Sequence, residues 1–144
     1  VMPAALVDSN VLIDFRNEDS RRHDSARQIV AGVDSGSLPT GRVVDYVVLE
    51  TLNLLHARHR PDFAVGTRRR LSESAGFEIV HTTQSDFARA VDIHEKYEQL
   101  SFGDAAIAAH GQRGGSEYLY SFDDDFDQID WVTRLTSARN PFEA

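Results

Sequence analysis

The chain opens on an apolar burst without alternation, Ala4-Ala5-Leu6-Val7, which runs into Asp8, Ser9 and Asn10 before apolar residues resume at Val11, Leu12 and Ile13. A short unbroken apolar run reads as a strand buried on both faces, and the apolar spacing after it reads as a helix with Ser9 or Asn10 as N-cap. Asp8 then stands at the carboxyl end of a central parallel strand, where ligands bind in open α/β sheets. Similar punctuation recurs. Asn17 to Arg22 is a polar break, and Ser25 to Asp34 places Ala26, Ile29, Val30 and Val33 on one helical stripe. Ser35-Gly36-Ser37 ends that helix, and Pro39-Thr40-Gly41 forms a loop. Val43-Val44 reads as a very short strand. Tyr46 to Arg60 is a helix striped by Val47, Val48, Leu52, Leu54 and Leu55, and Pro61 to Ala75 is another, closed by Gly76. Phe77 to His81 is the third strand. Gln84 to Gln99 and the small-residue stretch Phe102 to His110 are helical; Tyr118-Leu119-Tyr120 and Trp131-Val132 to Leu135 are the last two strands. Strands alternating with helices predict a three-layer α/β/α protein around a five-stranded parallel sheet with right-handed crossovers.

Composition narrows this picture. With 144 residues and no internal repeat, linker or low-complexity tract, one domain over residues 1–144 is expected. The absence of cysteine removes disulfides and thiolate metal sites. No run approaches the roughly 20 apolar residues of a membrane span, and the start lacks a signal-peptide pattern, so a cytoplasmic protein with no membrane partner is expected. The net charge is -8, with 14 Arg and a single Lys against 15 Asp and 8 Glu. A protein that grips nucleic acid by its backbone usually shows a basic face. Recognition of an anion by this chain therefore needs direct contacts or a bound cation.

Four acids stand where such a cation would bind. Asp8 leaves the first strand. Glu50 interrupts the apolar helix Tyr46-Val47-Val48-Leu49-Glu50-Thr51-Leu52, where a charge is unexpected unless that turn faces a cleft. Asp104 sits in the first turn of the smallest helix, where the helix dipole favours a carboxylate, and Asp123 leaves the fourth strand much as Asp8 leaves the first. Four carboxylates around one crevice cannot all stay ionised without a compensating cation. Oxygen-only ligands select hard ions such as Mg²⁺ or Mn²⁺, and such sites hydrolyse phosphodiesters, often with two metals roughly 4 Å apart.

The segments Val7-Asp8-Ser9-Asn10-Val11-Leu12-Ile13-Asp14, Leu49-Glu50, Gly103-Asp104-Ala105-Ala106-Ile107-Ala108-Ala109 and Tyr120-Ser121-Phe122-Asp123-Asp124-Asp125-Phe126 together resemble PIN-domain ribonucleases, closest to the VapC toxins of VapBC toxin–antitoxin pairs. The resemblance runs from residue 4 to about 135. It implies a PIN-like fold, a Mg²⁺/Mn²⁺ site and endonucleolytic cleavage of RNA. Carried over by position, it implies that Asp8, Glu50, Asp104 and Asp123 are the catalytic and metal-binding quartet, supported by Asn10 and Ser121. Asp125 and Asp127 fall in the variable part of the fourth motif and are secondary candidates for metal. A small antitoxin protein and a homodimer through the two amphipathic helices from Tyr46 to Ala75 are the implied partners. Two readings stay open beside the toxin: a stand-alone RNA-processing nuclease, and a PIN-like scaffold that binds without cutting.

Other chemistries fail on their residues. A calcium loop at Asp123, Asp125 and Asp127 meets Gln128 where its glycine belongs and Arg134 where its bidentate Glu belongs. A phosphoaspartyl site lacks its lysine, since Lys96 lies within a helix. His56 and His59 are too few ligands for zinc, and Gly111 to Gly115 follows a helix rather than a strand, so it is not a phosphate loop. Arg68-Arg69-Arg70 reads as a solvated helix face.

Overall fold

The computed structural model describes residues 3–143. In chain order the elements are β1 (Ala4–Val7), α1 (Ser9–Arg16), α2 (His23–Ser35), β2 (Thr40–Val44), α3 (Asp45–Arg58), α4 (Pro61–Glu73), β3 (Phe77–Val80), α5 (Gln84–Lys96), α6 (Phe102–Gly114), β4 (Tyr118–Tyr120), a 3₁₀ turn (Asp124–Gln128) and β5 (Thr133–Leu135). All strand pairs are parallel, in the order β3-β2-β1-β4-β5. The apolar burst is therefore the central strand, with Ala5, Leu6 and Val7 at most 2% exposed. Because β2 lies on one side of β1 and β4 on the other, the strand order reverses there. A crevice opens at such a switch point, beyond the carboxyl ends of the two strands. Val7 pairs with Tyr120 at that edge, and the Asp8 N–H donates to the Tyr120 carbonyl at 3.0 Å.

Helices cover both faces of the sheet. Gly41 of β2 faces α2, where an added Cβ would meet Val33 at 3.0 Å, whereas Leu6 faces α6 at Gly111. The alanines of α6 explain how closely it lies on the sheet: Ala105, Ala106, Ala108 and Ala109 are at most 1% exposed. Helices α5 and α6 are tied by a charge pair with no clear signal in the sequence. Arg113 donates from Nε and Nη2 to the two oxygens of the buried Asp86, at 2.6 and 2.9 Å. These bonds hold the Asp86 carboxyl below its usual range. Among the described residues no helix is long and apolar enough to cross a membrane.

Several expected boundaries move, each for a packing reason. Thr40-Gly41 belongs to β2 rather than to a loop: Gly41 is a packed strand residue whose missing side chain leaves room for Val33, Val7 and Phe77. Helix α4 ends at Glu73, and Ser74 in extended conformation is its C-cap. Gly76 instead permits a backbone approach, since a Cβ there would fall 1.9 Å from the Val33 carbonyl oxygen. Helix α6 runs a turn beyond His110 and stops at Gly115, which takes the left-handed conformation at φ 69°. The N-cap of α1 is Asp8 itself, not Ser9 or Asn10.

Candidate metal centre

Asp8 does two things at once. Its Oδ1 accepts the Ser9 N–H at 2.7 Å and so caps the start of α1, while Oδ2 accepts from Ser121 Oγ at 2.7 Å and Asn10 Nδ2 at 3.2 Å. Asn10 is fixed in turn by the Phe122 N–H, which donates to its Oδ1 at 3.2 Å. The two supporting residues named from the sequence thus stitch the end of β1 to the end of β4. Only 3% of Asp8 is exposed. Burial, reinforced by the charges of Asp104 and Glu50, pushes its carboxyl up to about 7.

The other three acids arrive from three different elements and line the same cleft. Glu50, on α3, is held by Ser9, whose Oγ donates to Oε1 at 2.7 Å. This explains a charge within an apolar helix: that turn faces the cleft. Asp104 closes a reciprocal cap at the start of α6. Its N–H donates to Ser101 Oγ at 3.1 Å, and its Oδ2 accepts the Ser101 N–H at 3.3 Å. Burial, with smaller contributions from Asp123 and Glu50, pushes Asp104 up to about 6. Asp123 caps the 3₁₀ turn, accepting the Asp125 N–H at 2.9 Å, and its own N–H donates to Ser121 Oγ at 3.0 Å.

Two residues here were not singled out from the sequence. Ser9, treated there only as a helix cap, couples Glu50 to Asp8. Ser101 positions Asp104 and was legible as the first member of Ser101-Phe102-Gly103-Asp104, a capping-box spacing with Asp in place of Glu. Replacing Ser101 with Ala is expected to cost about 1 kcal/mol, seen as a melting temperature lower by about 3 °C in a thermal scan. Asp14 and Arg58 also line the cleft.

The Asp-rich exit divides. Asp127 turns to Arg134, which donates to both its oxygens at 2.9 and 3.0 Å and holds its carboxyl below the usual range. As placed, it serves an ion pair rather than the cleft. Asp125 is raised, chiefly by the neighbouring Asp123 charge. Among the described residues, one set of three acids brings its oxygens within 4.8 Å of one another: Asp123, Asp124 and Asp125. Asp124 is exposed yet belongs to this set. The donors are all oxygens, and two of the cleft acids, Asp8 and Asp104, have carboxyls raised by burial and by neighbouring carboxylates. That chemistry fits a hard divalent cation.

A parallel sheet carrying acids from three helix starts and one helix turn around its switch-point crevice defines an α/β protein with an acidic cleft. The chain matches the PIN domain over residues 5–132 and belongs to that family. Solved structures agree on the fold. VapC20 of Mycobacterium tuberculosis, described as a Sarcin-Ricin loop cleaving toxin, is 24% identical with a TM-score of 0.76, covering 89% of this chain and 96% of that one. A toxin–antitoxin complex from Klebsiella pneumoniae is 26% identical at a TM-score of 0.67, over 94% and 98%. VapBC2 from Rickettsia felis, bound to a DNA fragment from its promoter, is 13% identical at 0.70, over 92% and 97%. No curated protein matches in sequence.

Proposed function

We propose that this protein is a divalent-cation-dependent endoribonuclease and the toxin of a toxin–antitoxin pair. The observation that carries this reading is the convergence of Asp8, Glu50, Asp104 and Asp123 on one cleft, within a PIN domain. These four would hold Mg²⁺ or Mn²⁺, with Asp125 and Asp124 as neighbours on the exit loop. When bound, the cation supplies Lewis acidity toward the phosphodiester and favours ionisation of the attacking water. The chain's own groups prepare that chemistry. Ser121 and Asn10 fix Oδ2 of Asp8, Ser9 fixes Oε1 of Glu50, and Ser101 fixes Asp104. With carboxyls near 7 and 6, Asp8 and Asp104 carry protons that cation binding must release, so activity is expected to rise with pH through that range. Hydrolysis adds the water oxygen to phosphorus and breaks one phosphorus–oxygen ester bond, with the leaving oxygen taking a proton. The direct test is cleavage of single-stranded RNA by purified protein in Mg²⁺ or Mn²⁺; undiminished cleavage in excess EDTA would refute the reading.

Two partners accompany it. A small antitoxin would neutralise the cleft with an Arg, whose fork suits a cluster of carboxylates. A second copy of the chain would cover the apolar groove beside Glu50, built from Tyr46, Leu49, Phe87 and Phe102. Leu49 is 58% exposed and Phe87 48%. This refines the interface expected from Tyr46 to Ala75, keeping α3 and adding Phe87 of α5. A Leu49→Glu, Phe87→Glu double variant is expected to halve the mass seen by light scattering at micromolar concentration. A monomeric wild type would count against the dimer.

A further inference from the structure

The cleft does not end at the acids. At its α3 side it is lined by Arg58, and the next residue, His59, lines a second groove together with Arg16 and Phe63. Planar groups stack in this groove. His59 lies on Phe63 with ring centroids 5.6 Å apart and planes 25° apart. The guanidinium carbons of Arg60 and Arg16 stand 4.9 and 5.4 Å from the centroid of the same Phe63 ring. Arg16 is held by Nε, which donates to Thr67 Oγ1 at 2.9 Å. Among the described residues neither Arg16 nor Arg58 is paired with a carboxylate, although the chain has 23 acids. Room is kept for the Arg16 head: Gly66 sits within α4, where a Cβ would come 3.0 Å from Arg16 Nη2. Glycine is a poor choice inside a helix, and here it leaves the guanidinium its present position. Glu18 and Asp19 also line the groove.

Resting on the ribonuclease reading above, the geometry points to Arg58, Arg16 and Phe63 as a binding path for the single-stranded RNA that flanks the scissile phosphate. Its arginines meet phosphates, and its stacked planes meet an unpaired base. Single strands are held in this way, by cations tracking the backbone and flat side chains stacking on bases. The path also resolves the charge problem. A chain of net charge -8 repels a polyanion on balance, and unpaired arginines beside the acidic cleft give the strand a local route.

The test is fluorescence anisotropy with a labelled, unstructured oligoribonucleotide, on the full chain in EDTA and on the Asp8→Asn protein in Mg²⁺. Arg16→Gln and Arg58→Gln are each expected to weaken binding about fivefold and to lower the salt slope by about 0.7. Phe63→Leu is expected to weaken it about tenfold with the slope unchanged. Arg16→Lys retains the slope and loses part of the affinity, which separates charge from stacking and shows that the groove has not merely unfolded. Arg89→Gln, on α5 and over Trp131, should bind like wild type. If wild-type protein cuts and binds RNA while the Arg16, Arg58 and Phe63 variants bind within twofold of it, the path is wrong and the ribonuclease reading stands. The path is equally refuted if those variants lose only a protein partner. If the wild type neither binds nor cuts RNA, both fall.

Discussion

Asp8→Asn is expected to lower RNA cleavage by about a thousandfold while making the cation-free protein more stable. The loss follows from removing a negatively charged ligand at the most buried of the four acids, where preorganised electrostatics act without water to dilute them. The gain in stability follows from where that charge sits. Moving a carboxyl from its ordinary 3.8 to about 7 corresponds to about 4 kcal/mol of preference for the protonated form. The folded protein therefore holds this proton more tightly than the unfolded chain does, and stability falls as pH rises from about 4 to about 7. Asn carries no such charge, but it gives up part of the bonding to Ser121 and Asn10, leaving a net gain of about 1–2 kcal/mol, or a few degrees in melting temperature. Above pH 7 the variant should melt higher than wild type; as pH falls and Asp8 of the wild type takes up its proton the order should reverse, the curves crossing at about pH 5–6. Melting curves across that range, beside a gel assay of cleavage, test both halves. Cleavage by the variant at wild-type rate would remove Asp8 from the proposed machinery.

Mn²⁺ is expected to raise the melting temperature of the wild type by about 5–10 °C. A ligand that binds only the native state at a hundredfold excess over its Kd adds about 2.7 kcal/mol, and each kcal/mol is worth about 2–4 °C in a chain of this size. The amide variants of Asp8, Glu50, Asp104 and Asp123 should lose most of that rise. Asp124→Asn should keep it, because the carboxylate is exposed. Ionic strength must be held fixed, so that screening of the acids does not imitate binding. The informative reversal is a rise abolished by Asp124→Asn and untouched by Asp123→Asn. That result would move the cation from the cleft to the acidic triplet on the exit loop.

The sheet and the four acids were legible because each is marked by an abrupt local change. The unbroken apolar run of β1 breaks off into Asp8 and the aromatic-rich stretch from β4 into Asp123; a lone charge interrupts the apolar stretch around Glu50; and Asp104 precedes a run of alanines. Features that depend on residues distant in sequence were not legible. The Ser9 to Glu50 bond spans 41 positions and the Asp86 to Arg113 pair 27. The stacked groove is assembled from the end of α1, the end of α3 and the first turns of α4, so its arginines look like scattered surface charge until the helices are placed. Boundaries at Thr40 and Gly76 went astray for a related reason: local preference reads glycine as a turn or stop, whereas packing against Val33 decides both.

Three of the four proposed ligands also terminate helices, and this bears on how the protein can decay over generations. Asp8 caps α1, Asp104 completes the cap of α6, and Asp123 caps the 3₁₀ turn. At the two N-cap positions, Asp8 and Asp123, asparagine serves about as well as aspartate does, and a single nucleotide change converts an Asp codon to an Asn codon. The shortest mutational route to silence at these positions therefore leaves the protein folded. A lineage under pressure to escape its own nuclease would accumulate intact, inert copies still able to engage partners that do not depend on the lost charge, rather than misfolded chains cleared by proteolysis.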